Sequence, residues 1–235
     1  MSFNQLIIQQ SPSIRRKLTA LDFDLNSWRK DTGSVALAGG RGASQKVAID
    51  GEWYVLREYL RGGMVARFLK DQYVWTGLTS SRPYQEDRVV RLAIAKALPV
   101  PEVAGYRIQK NGLFYRAAIL SRYIDNQGTL ADFISARTLA EENWFALGQL
   151  IRRLHQAAIC HADLNANNIL LTPDLSFYLI DFDKARVMPQ TGRWATDNLQ
   201  RLLRSLHKIQ QSRLEQNQPF QFDSRCWQGL LDGYR

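Results

Sequence analysis

The sequence is poor in several residue types, and each scarcity excludes a class of protein. Its 235 residues include two cysteines, Cys160 and Cys226, which cannot build a disulfide framework or a four-cysteine zinc site. The 15 glycines and 7 prolines are too few for a fibrous chain. No run of about 20 mostly apolar residues is present, and the first residues lack the basic-then-apolar order of a secretion signal. We therefore expect a protein without a transmembrane segment that stays in a reducing compartment.

The chain has enough hydrophobic residues, 45% of the total, to form one ordinary domain or two small lobes. Its 31 basic residues exceed its 22 acidic ones, which gives a net charge of +9. Of the basic residues, 23 are arginine, whose planar guanidinium matches phosphate and carboxylate oxygens in two bonds at once. This balance favours an anionic partner, namely nucleic acid, an anionic membrane or a phosphorylated substrate, although a solvated basic surface would have the same composition.

The first half of the chain has the pattern of an antiparallel sheet with one main helix. Asp50-Gly51 is a two-residue hairpin signal, and the run that follows it is rich in aromatic and β-branched residues. We assign no structure to the first 30 residues. Strands are predicted over residues 35–38, 45–49, 53–59, 103–109 and 113–120, and a helix over residues 83–97.

The second half of the chain is mostly helical. A turn cluster at residues 125–128 marks the join between an N-terminal lobe, residues 1–124, and a C-terminal lobe, residues 125–235. Apolar residues recur at helical spacing over residues 141–159, which predicts a buried amphipathic helix. Short apolar runs predict a hairpin of residues 169–171 and 177–180, and a basic helix is predicted around residues 198–208.

Three polar residues near that hairpin form the most informative pattern in the chain. Asp163 belongs to an H-x-D sequence, Asn168 follows it by five residues, and Asp181 lies thirteen residues further on. Phosphoryl transfer needs a carboxylate that orients the attacking hydroxyl and accepts its proton, and oxygen ligands that hold Mg²⁺ against the nucleotide phosphates. The hairpin is expected to return Asp181 to the side of Asn168. The alternative for an isolated H-x-D is a polar turn that caps a helix.

With its apolar flanks, this pattern resembles the protein-kinase-like superfamily. The resemblance implies an α+β, two-lobed fold, in which an antiparallel β N-lobe precedes a compact, mostly helical C-lobe. It also implies that Asp163 is the catalytic base, that Asn168 and Asp181 hold Mg²⁺, and that ATP is the phosphate donor. His161 stands where the superfamily has a structural histidine. Asp183, in Asp181-Phe182-Asp183, either orients Asp181 or assists a second metal ion.

A glycine loop in the N-lobe is the expected cover for the phosphates. Gly40, Arg41 and Gly42 lie between two predicted strands, where glycine lets backbone amides approach phosphates closely. A plain hairpin turn is the competing interpretation of these glycines. The adenine ring is expected near residues 120–124, without a contact residue that the sequence can name.

The third strand departs from the wider superfamily, because its basic residue is Arg57 rather than a lysine. We expect Arg57 to pair with the phosphates and with an acid of the following helix, Glu86 or, as second choice, Asp87. An exposed strand residue is the competing interpretation of Arg57. The catalytic loop has Ala162 where protein kinases usually carry arginine, which favours a compact kinase of small hydroxylated substrates.

Seven strings are similar to those of 3-deoxy-D-manno-octulosonic acid (Kdo) kinases. In that family arginine replaces the third-strand lysine, and an aspartate at the place of Asp183 replaces the glycine of D-F-G. The resemblance implies ATP-dependent phosphorylation of the 4-hydroxyl of Kdo on a lipid A precursor, in the biosynthesis of the lipopolysaccharide inner core. The strings are GGRG at residues 39–42, VLREYLRGG at 55–63, DQYVWTGL at 71–78, PVP at 99–101, HADLNANNILL at 161–171, LIDFDK at 179–184 and NLQRLLRS at 198–205.

The resemblance also gives the positive charge a use. The acceptor would be an anionic Kdo-bearing glycolipid, reached by peripheral contact with the cytoplasmic face of the bacterial inner membrane. The sequence has neither a zinc-finger spacing nor an aromatic RNA-binding signature, so we do not expect nucleic acid as a partner, and no obligate protein partner is evident. A solvated surface charge is the simpler interpretation of each single basic residue. The candidate contacts are Arg15, Arg16, Lys17, Arg61, Arg67, Arg201, Arg204 and Lys208.

Two other functions share part of this pattern. A related kinase for heptose, an aminoglycoside or choline would have the same catalytic loop, and its choice of acceptor separates it from a Kdo kinase. A non-catalytic basic binding module would not need Asp163, Asn168 and Asp181 together, and turnover of ATP separates that class from both kinases.

Overall fold

The computed structural model describes residues 4–29, 34–36, 44–59, 72–189 and 192–235. The chain divides into two compact units, Met1–Arg88 with Glu102–Tyr123 and Val89–Pro101 with Ile124–Arg235. The sequence-based division at residue 124 left Val89–Pro101 in the first part, whereas these residues cluster with the second unit.

The first unit is built on an antiparallel sheet. Among the described residues its strand order is β1-β6-β7-β4-β3-β2, and β5 also pairs with β7. The strands are β1 (Asn4–Gln10), β2 (Ser34–Ala36), β3 (Ser44–Ile49), β4 (Glu52–Glu58), β5 (Tyr73–Val74), β6 (Val103–Asn111) and β7 (Phe114–Arg122).

The hairpin of β3 and β4 follows directly from its sequence. Val47 and Ile49 alternate with less buried residues, so that one face of β3 enters the core. At the turn, Asp50 and Gly51 have φ angles of 53° and 83°, the left-handed values that a tight two-residue hairpin requires. Ile49 consequently pairs with Glu52, and the predicted hairpin is confirmed.

Asn4–Gln10, to which the sequence analysis assigns no structure, form the edge strand β1. This strand pairs with β6 along its whole length, from Asn4 opposite Asn111 to Gln10 opposite Gly105. Most of its side chains are exposed or half-buried, so no alternation of polar and apolar residues marks it in the sequence. A short helix, α1 (Leu25–Arg29), follows. The core of this unit includes Ile14, Leu18, Phe23, Leu25, Val47, Ile49, Tyr54, Leu56, Ala104, Ala118 and Leu120.

The predicted helix over residues 83–97 is observed as α2 (Arg82–Ala95). It ends slightly earlier than expected, because Ala97 adopts a left-handed φ of 52° ahead of the extended Pro99–Pro101 region. One face of α2 is buried and carries two acidic side chains, Glu86 and Asp87, near its middle. A buried acid needs a cation or hydrogen-bond donors, so this face is a candidate for a functional ion pair.

The second unit is mainly helical. Helix α4, predicted over residues 141–159, ends at Gln156 because Ala158 has a left-handed φ of 57°. Trp144, Leu147 and Ile151 bury the expected face. The helices of this unit are α3 (Leu130–Ala136), α4 (Glu141–Gln156), α5 (Arg193–Glu215) and α6 (Ser224–Tyr234).

Two short strand pairs carry the loops of interest. Strand β8 (Ile159–Cys160) pairs with β11 (Arg186–Val187), and β9 (Ile169–Leu171) pairs with β10 (Phe177–Leu179). The β9–β10 hairpin is the one that the sequence predicts, and it ends one residue before the expected Ile180. Within the described ranges, no helix has the length and apolar character of a membrane span.

Candidate active site

His161 anchors the loop between β8 and β9. Its ring is fully buried, and Nε2 lies 2.9 Å from the carbonyl oxygen of Ile180. The backbone N–H of Asp163 donates to Nδ1 over 3.2 Å, which assigns the proton of the neutral imidazole to Nε2. With a backbone partner at each nitrogen, His161 ties Asp163 to the segment that ends at Asp181, as a structural histidine would.

Asp163 is held by its backbone while its carboxylate faces solvent. Its carbonyl oxygen accepts hydrogen bonds from Nδ2 of Asn165 at 3.0 Å and from Nδ2 of Asn168 at 2.9 Å. Its side chain is 55% exposed, and Oδ1 lies 3.0 Å from Nη1 of Arg201 on α5. A rigid backbone with an accessible carboxylate is the arrangement that a catalytic base needs.

The hairpin brings Asn168 next to the residue that precedes Asp181. The N–H of Ile180 donates to the carbonyl oxygen of Asn168 at 3.0 Å. Asp181 follows in a left-handed conformation with φ of 62°, a backbone strain that is common at functional sites in non-glycine residues. The structure therefore brings together, in one unit, the loop with Asp163, Asn168 and the backbone that carries Asp181.

The donor set of this loop fits Mg²⁺. Because Nδ2 of Asn168 is committed as a donor to Asp163, its Oδ1 is the atom left for a cation. Mg²⁺ is usually held by one or two protein carboxylates together with water and substrate phosphates, rather than by a complete protein cage. Across the part of the chain that the structure describes, no cluster of three or more His, Cys, Asp or Glu residues forms such a cage. Asn168 and Asp181 are thus suited to a nucleotide-bound Mg²⁺.

Arg57 and Glu86 form an ion pair in the first unit. Nη2 of Arg57 lies 2.6 Å and 2.8 Å from the two oxygens of Glu86, which is 5% exposed. The structure thus places Arg57 of β4 against the first of the two expected helix acids. The guanidinium also lies over the ring of Tyr59, 4.8 Å from its centroid.

Tyr59 is a member of this cluster that the sequence does not reveal. Its hydroxyl donates to Oε2 of Glu86 at 2.5 Å, and its side chain is fully buried. Burial, together with the charge of Glu86, raises the pKa of Tyr59 well above its usual value, so the phenol stays protonated and keeps donating. Tyr59 therefore fixes the carboxylate that holds Arg57.

Helix α5 supplies two further residues that sequence reasoning missed. Asn198 is buried, accepts the backbone N–H of His161 at 3.1 Å and donates to its carbonyl oxygen at 3.1 Å. Ser205 accepts the N–H of Ala166 at 3.1 Å. Both lie in the NLQRLLRS string, and the only signal in the sequence was that similarity. These bonds fasten the catalytic loop to α5.

Five of the predicted residues lie outside the described residues, namely Gly40, Arg41, Gly42, Arg61 and Arg67. Arg16 bonds Asp22 and lies near Asp50, and the hydrogen bond with Asp22 raises its pKa, so this residue has an internal partner. Arg204 and Lys208 are exposed on α5.

Known proteins are similar to this chain in sequence and in fold. A sequence model of the lipopolysaccharide kinase (Kdo/WaaP) family matches residues 26–234. A 3-deoxy-D-manno-octulosonic acid kinase of Mannheimia succiniciproducens is 37% identical over 91% of this chain and 89% of its own length. Its counterpart in Photobacterium profundum is 32% identical over 100% of this chain and 97% of its own length. A solved structure, WaaP in complex with acyl carrier protein, has a TM-score of 0.54 and 14% identity, over 84% of this chain and 76% of that one. The predicted α+β, protein-kinase-like fold is confirmed.

Proposed function

The chain belongs to the lipopolysaccharide kinase (Kdo/WaaP) family, and we propose that it phosphorylates the 4-hydroxyl of Kdo on a lipid A precursor, with ATP as donor. Relatives that bear the name 3-deoxy-D-manno-octulosonic acid kinase are 32% to 37% identical to it over nearly the whole chain. The observation that carries the proposal is the loop in which the backbone of Asp163 is fixed by His161 and Asn168 while its carboxylate stays accessible.

Asp163 is the base in this proposal. It accepts a hydrogen bond from the sugar hydroxyl and aims one of the oxygen's lone pairs at the γ-phosphorus of ATP. As the new oxygen–phosphorus bond forms, the hydroxyl proton passes to Asp163, and the bond between the γ-phosphorus and the β–γ bridging oxygen breaks to release ADP. His161, whose two nitrogens bond backbone groups, holds the loop and takes no proton.

Asn168 and Asp181 are the residues that we assign to Mg²⁺. When bound, the ion offsets the negative charge of the nucleotide phosphates. The chain contributes the amide oxygen of Asn168, whose orientation is set by its Nδ2 bond to Asp163, and the carboxylate of Asp181. Arg57, held by Glu86 and Tyr59, is assigned to the α- and β-phosphates, and the loop with Gly40, Arg41 and Gly42 is proposed as their cover.

The charge of the chain supports an anionic glycolipid acceptor and a peripheral place at the cytoplasmic face of the inner membrane. The net charge is +9, and Arg204 and Lys208 are exposed on one face of α5. Each basic residue near an anionic membrane surface contributes about 1 kcal/mol to binding. Sedimentation with vesicles of anionic phospholipid, compared with neutral vesicles, tests this part separately from the chemistry.

Mass spectrometry of the acceptor tests the proposed reaction. Purified protein is incubated with ATP, Mg²⁺ and Kdo-bearing lipid A precursor, and in parallel with a heptose-bearing acceptor or an aminoglycoside. We expect one phosphate to be added to the Kdo acceptor and fragmentation to place it at position 4. Phosphorylation of another acceptor in preference to Kdo would show a related small-molecule kinase, and absence of ATP turnover with every acceptor would leave only a binding module.

A further inference from the structure

Among the described residues, Arg201 contacts the carboxylate of Asp163, with Nη1 at 3.0 Å from Oδ1. Both side chains are about half exposed, at 48% and 55%, and an ion pair of that kind contributes little to stability. Stabilisation of the fold therefore does not explain why Arg201 contacts Asp163. Its position beside the group that receives the acceptor hydroxyl indicates a role toward the acceptor.

Helix α5 holds Arg201 in place from both sides. Asn198 lies three residues before it and makes two hydrogen bonds with the backbone of His161. Ser205 lies four residues after it and bonds the backbone of Ala166. Residues at these spacings share one face of a helix, so the catalytic loop is fastened to α5 on either side of Arg201. The backbone and the Cβ atom of Arg201 are thus held in a fixed position beside the catalytic loop.

The guanidinium keeps most of its binding capacity. Arginine has five N–H donors, and one of them is used by Asp163. In the part of the chain that the structure describes, Nη2 and Nε of Arg201 make no hydrogen bond, and together they form an edge that matches the two oxygens of a carboxylate. Oδ2 of Asp163 likewise accepts no hydrogen bond from the described residues. The pair thus offers Oδ2 of Asp163, which can accept a hydrogen bond from a hydroxyl, beside Nε and Nη2 of Arg201, which can donate hydrogen bonds to an anion.

We propose that Arg201 is a specificity residue that binds the carboxylate of the acceptor sugar while Asp163 binds the hydroxyl to be phosphorylated. This inference rests on the proposed function. In 3-deoxy-D-manno-octulosonic acid the carboxylate is carried by C2, and C3 bears no hydroxyl, so C4, which bears the reacting hydroxyl, is separated from the carboxylate-bearing carbon by a single CH₂ group. The sugar thus carries an anionic group near the reacting hydroxyl, just as the protein has the Arg201 guanidinium next to the Asp163 carboxylate.

Electrostatics gives Arg201 a second reason to lie there. An anionic sugar must bring its carboxylate close to the negative charge of Asp163, and two like charges at that distance repel each other. A guanidinium between them offsets this repulsion for an acidic acceptor and does nothing comparable for a neutral one. Arg201 therefore favours acceptors that carry a carboxylate beside the reacting hydroxyl.

The test compares the Kdo-bearing lipid A precursor with the same compound in which the C1 carboxylate is converted to a carboxamide. We expect the unaltered protein to prefer the acid in kcat/KM by about 10- to 100-fold, the range of a charged hydrogen-bonded pair. Arg201→Gln should lose this preference, because kcat/KM for the acid should fall by about 10- to 100-fold more than kcat/KM for the carboxamide. Arg201→Lys, which keeps the charge and loses the fork, should retain part of it.

Arg213→Gln on the same helix is the matched control and should keep the full preference, because Arg213 bonds Gln218 far from the loop. Circular dichroism and the urea midpoint establish that the variants are folded. A folded Arg201→Gln protein that still prefers the acid, or that slows both acceptors equally, would overturn the inference. If the unaltered protein phosphorylates neither compound, the proposed function itself fails, and this result is distinct from a loss of preference alone.

Discussion

The close approach of α4 and α6 predicts opposite effects for the same substitution at two glycines. A Cβ atom on Gly148 of α4 would lie 2.0 Å from the carbonyl oxygen of Leu230 and 2.9 Å from the backbone nitrogen of Tyr234. Both obstacles are backbone atoms, so the helices would have to separate by about 1 Å or more to reach ordinary contact. Helix α4 is followed by β8 and then by the loop that carries Asp163, so this packing lies in the same unit as that loop.

The magnitude follows from two opposing effects. Overpacking of a tight interface costs about 1 to 3 kcal/mol, with the upper end expected for a clash with backbone. Alanine is favoured over glycine inside a helix by about 1 kcal/mol. For Gly148→Ala the net loss in the free energy of unfolding should be about 2 kcal/mol. For Gly229→Ala on α6, where the nearest atoms lie 3.5 Å away, the helix preference should dominate and give a gain of up to about 1 kcal/mol.

Urea unfolding of the three proteins, followed by circular dichroism, measures this difference directly. The two variants should differ by about 3 kcal/mol although the substitution is chemically the same. Equal stabilities, or a Gly148→Ala protein as stable as the original, would refute the argument that these two helices pack backbone against backbone.

Three further predictions follow from single groups. Glu86→Gln should lower the free energy of unfolding by about 2 kcal/mol, because it replaces the charged partner of the largely buried Arg57 by a neutral one. The control Glu52→Gln, in an exposed ion pair, should change it by less than about 0.5 kcal/mol. Similar losses in the two urea titrations would contradict this prediction. Burial lowers the pKa of His155 to about 4, so the unfolded chain takes up a proton at this residue before the folded protein does as the pH falls below 6.5. The free energy of unfolding should therefore fall by up to about 3 kcal/mol by pH 4. An NMR titration that places the pKa of His155 near 6.5 would refute this prediction. Asp181→Asn should abolish the gain in ATP affinity on adding Mg²⁺, and a calorimetric affinity that still rises with Mg²⁺ would remove Asp181 from the metal site.

The elements that the sequence predicts well are those with strong local signals. The β3–β4 hairpin carries Asp50-Gly51, the pair of residues that tolerates left-handed φ angles, ahead of a run rich in aromatic and β-branched residues. Helix α4 repeats its apolar residues at helical spacing, and its buried face is the predicted one. Strand β1 was missed, because an exposed edge strand is specified by its hydrogen bonds to β6 and carries no apolar periodicity.

The candidate site likewise has some residues that local sequence signals predict and others that they do not. Asp163, Asn168 and Asp181 lie within 18 residues of one another, and a short hairpin is enough to bring their segments together. The contacts of Tyr59 with Glu86 and of Arg201 with Asp163 join residues that are 27 and 38 positions apart. Such pairs depend on how helices dock on strands and loops, and no local pattern in the sequence encodes that arrangement.

The rate of phosphate transfer by the Asp163→Asn protein tests the central claim most directly. Asparagine keeps the shape of the side chain and cannot take the proton, so transfer from ATP to the Kdo-bearing acceptor should slow by about 10²- to 10⁴-fold. Affinity for ATP with Mg²⁺ should stay close to that of the unaltered protein, because the assigned metal ligands and Arg57 remain. A variant that transfers phosphate at nearly the original rate would contradict the assignment of Asp163 as the base and, with it, the account of this loop as a kinase active site.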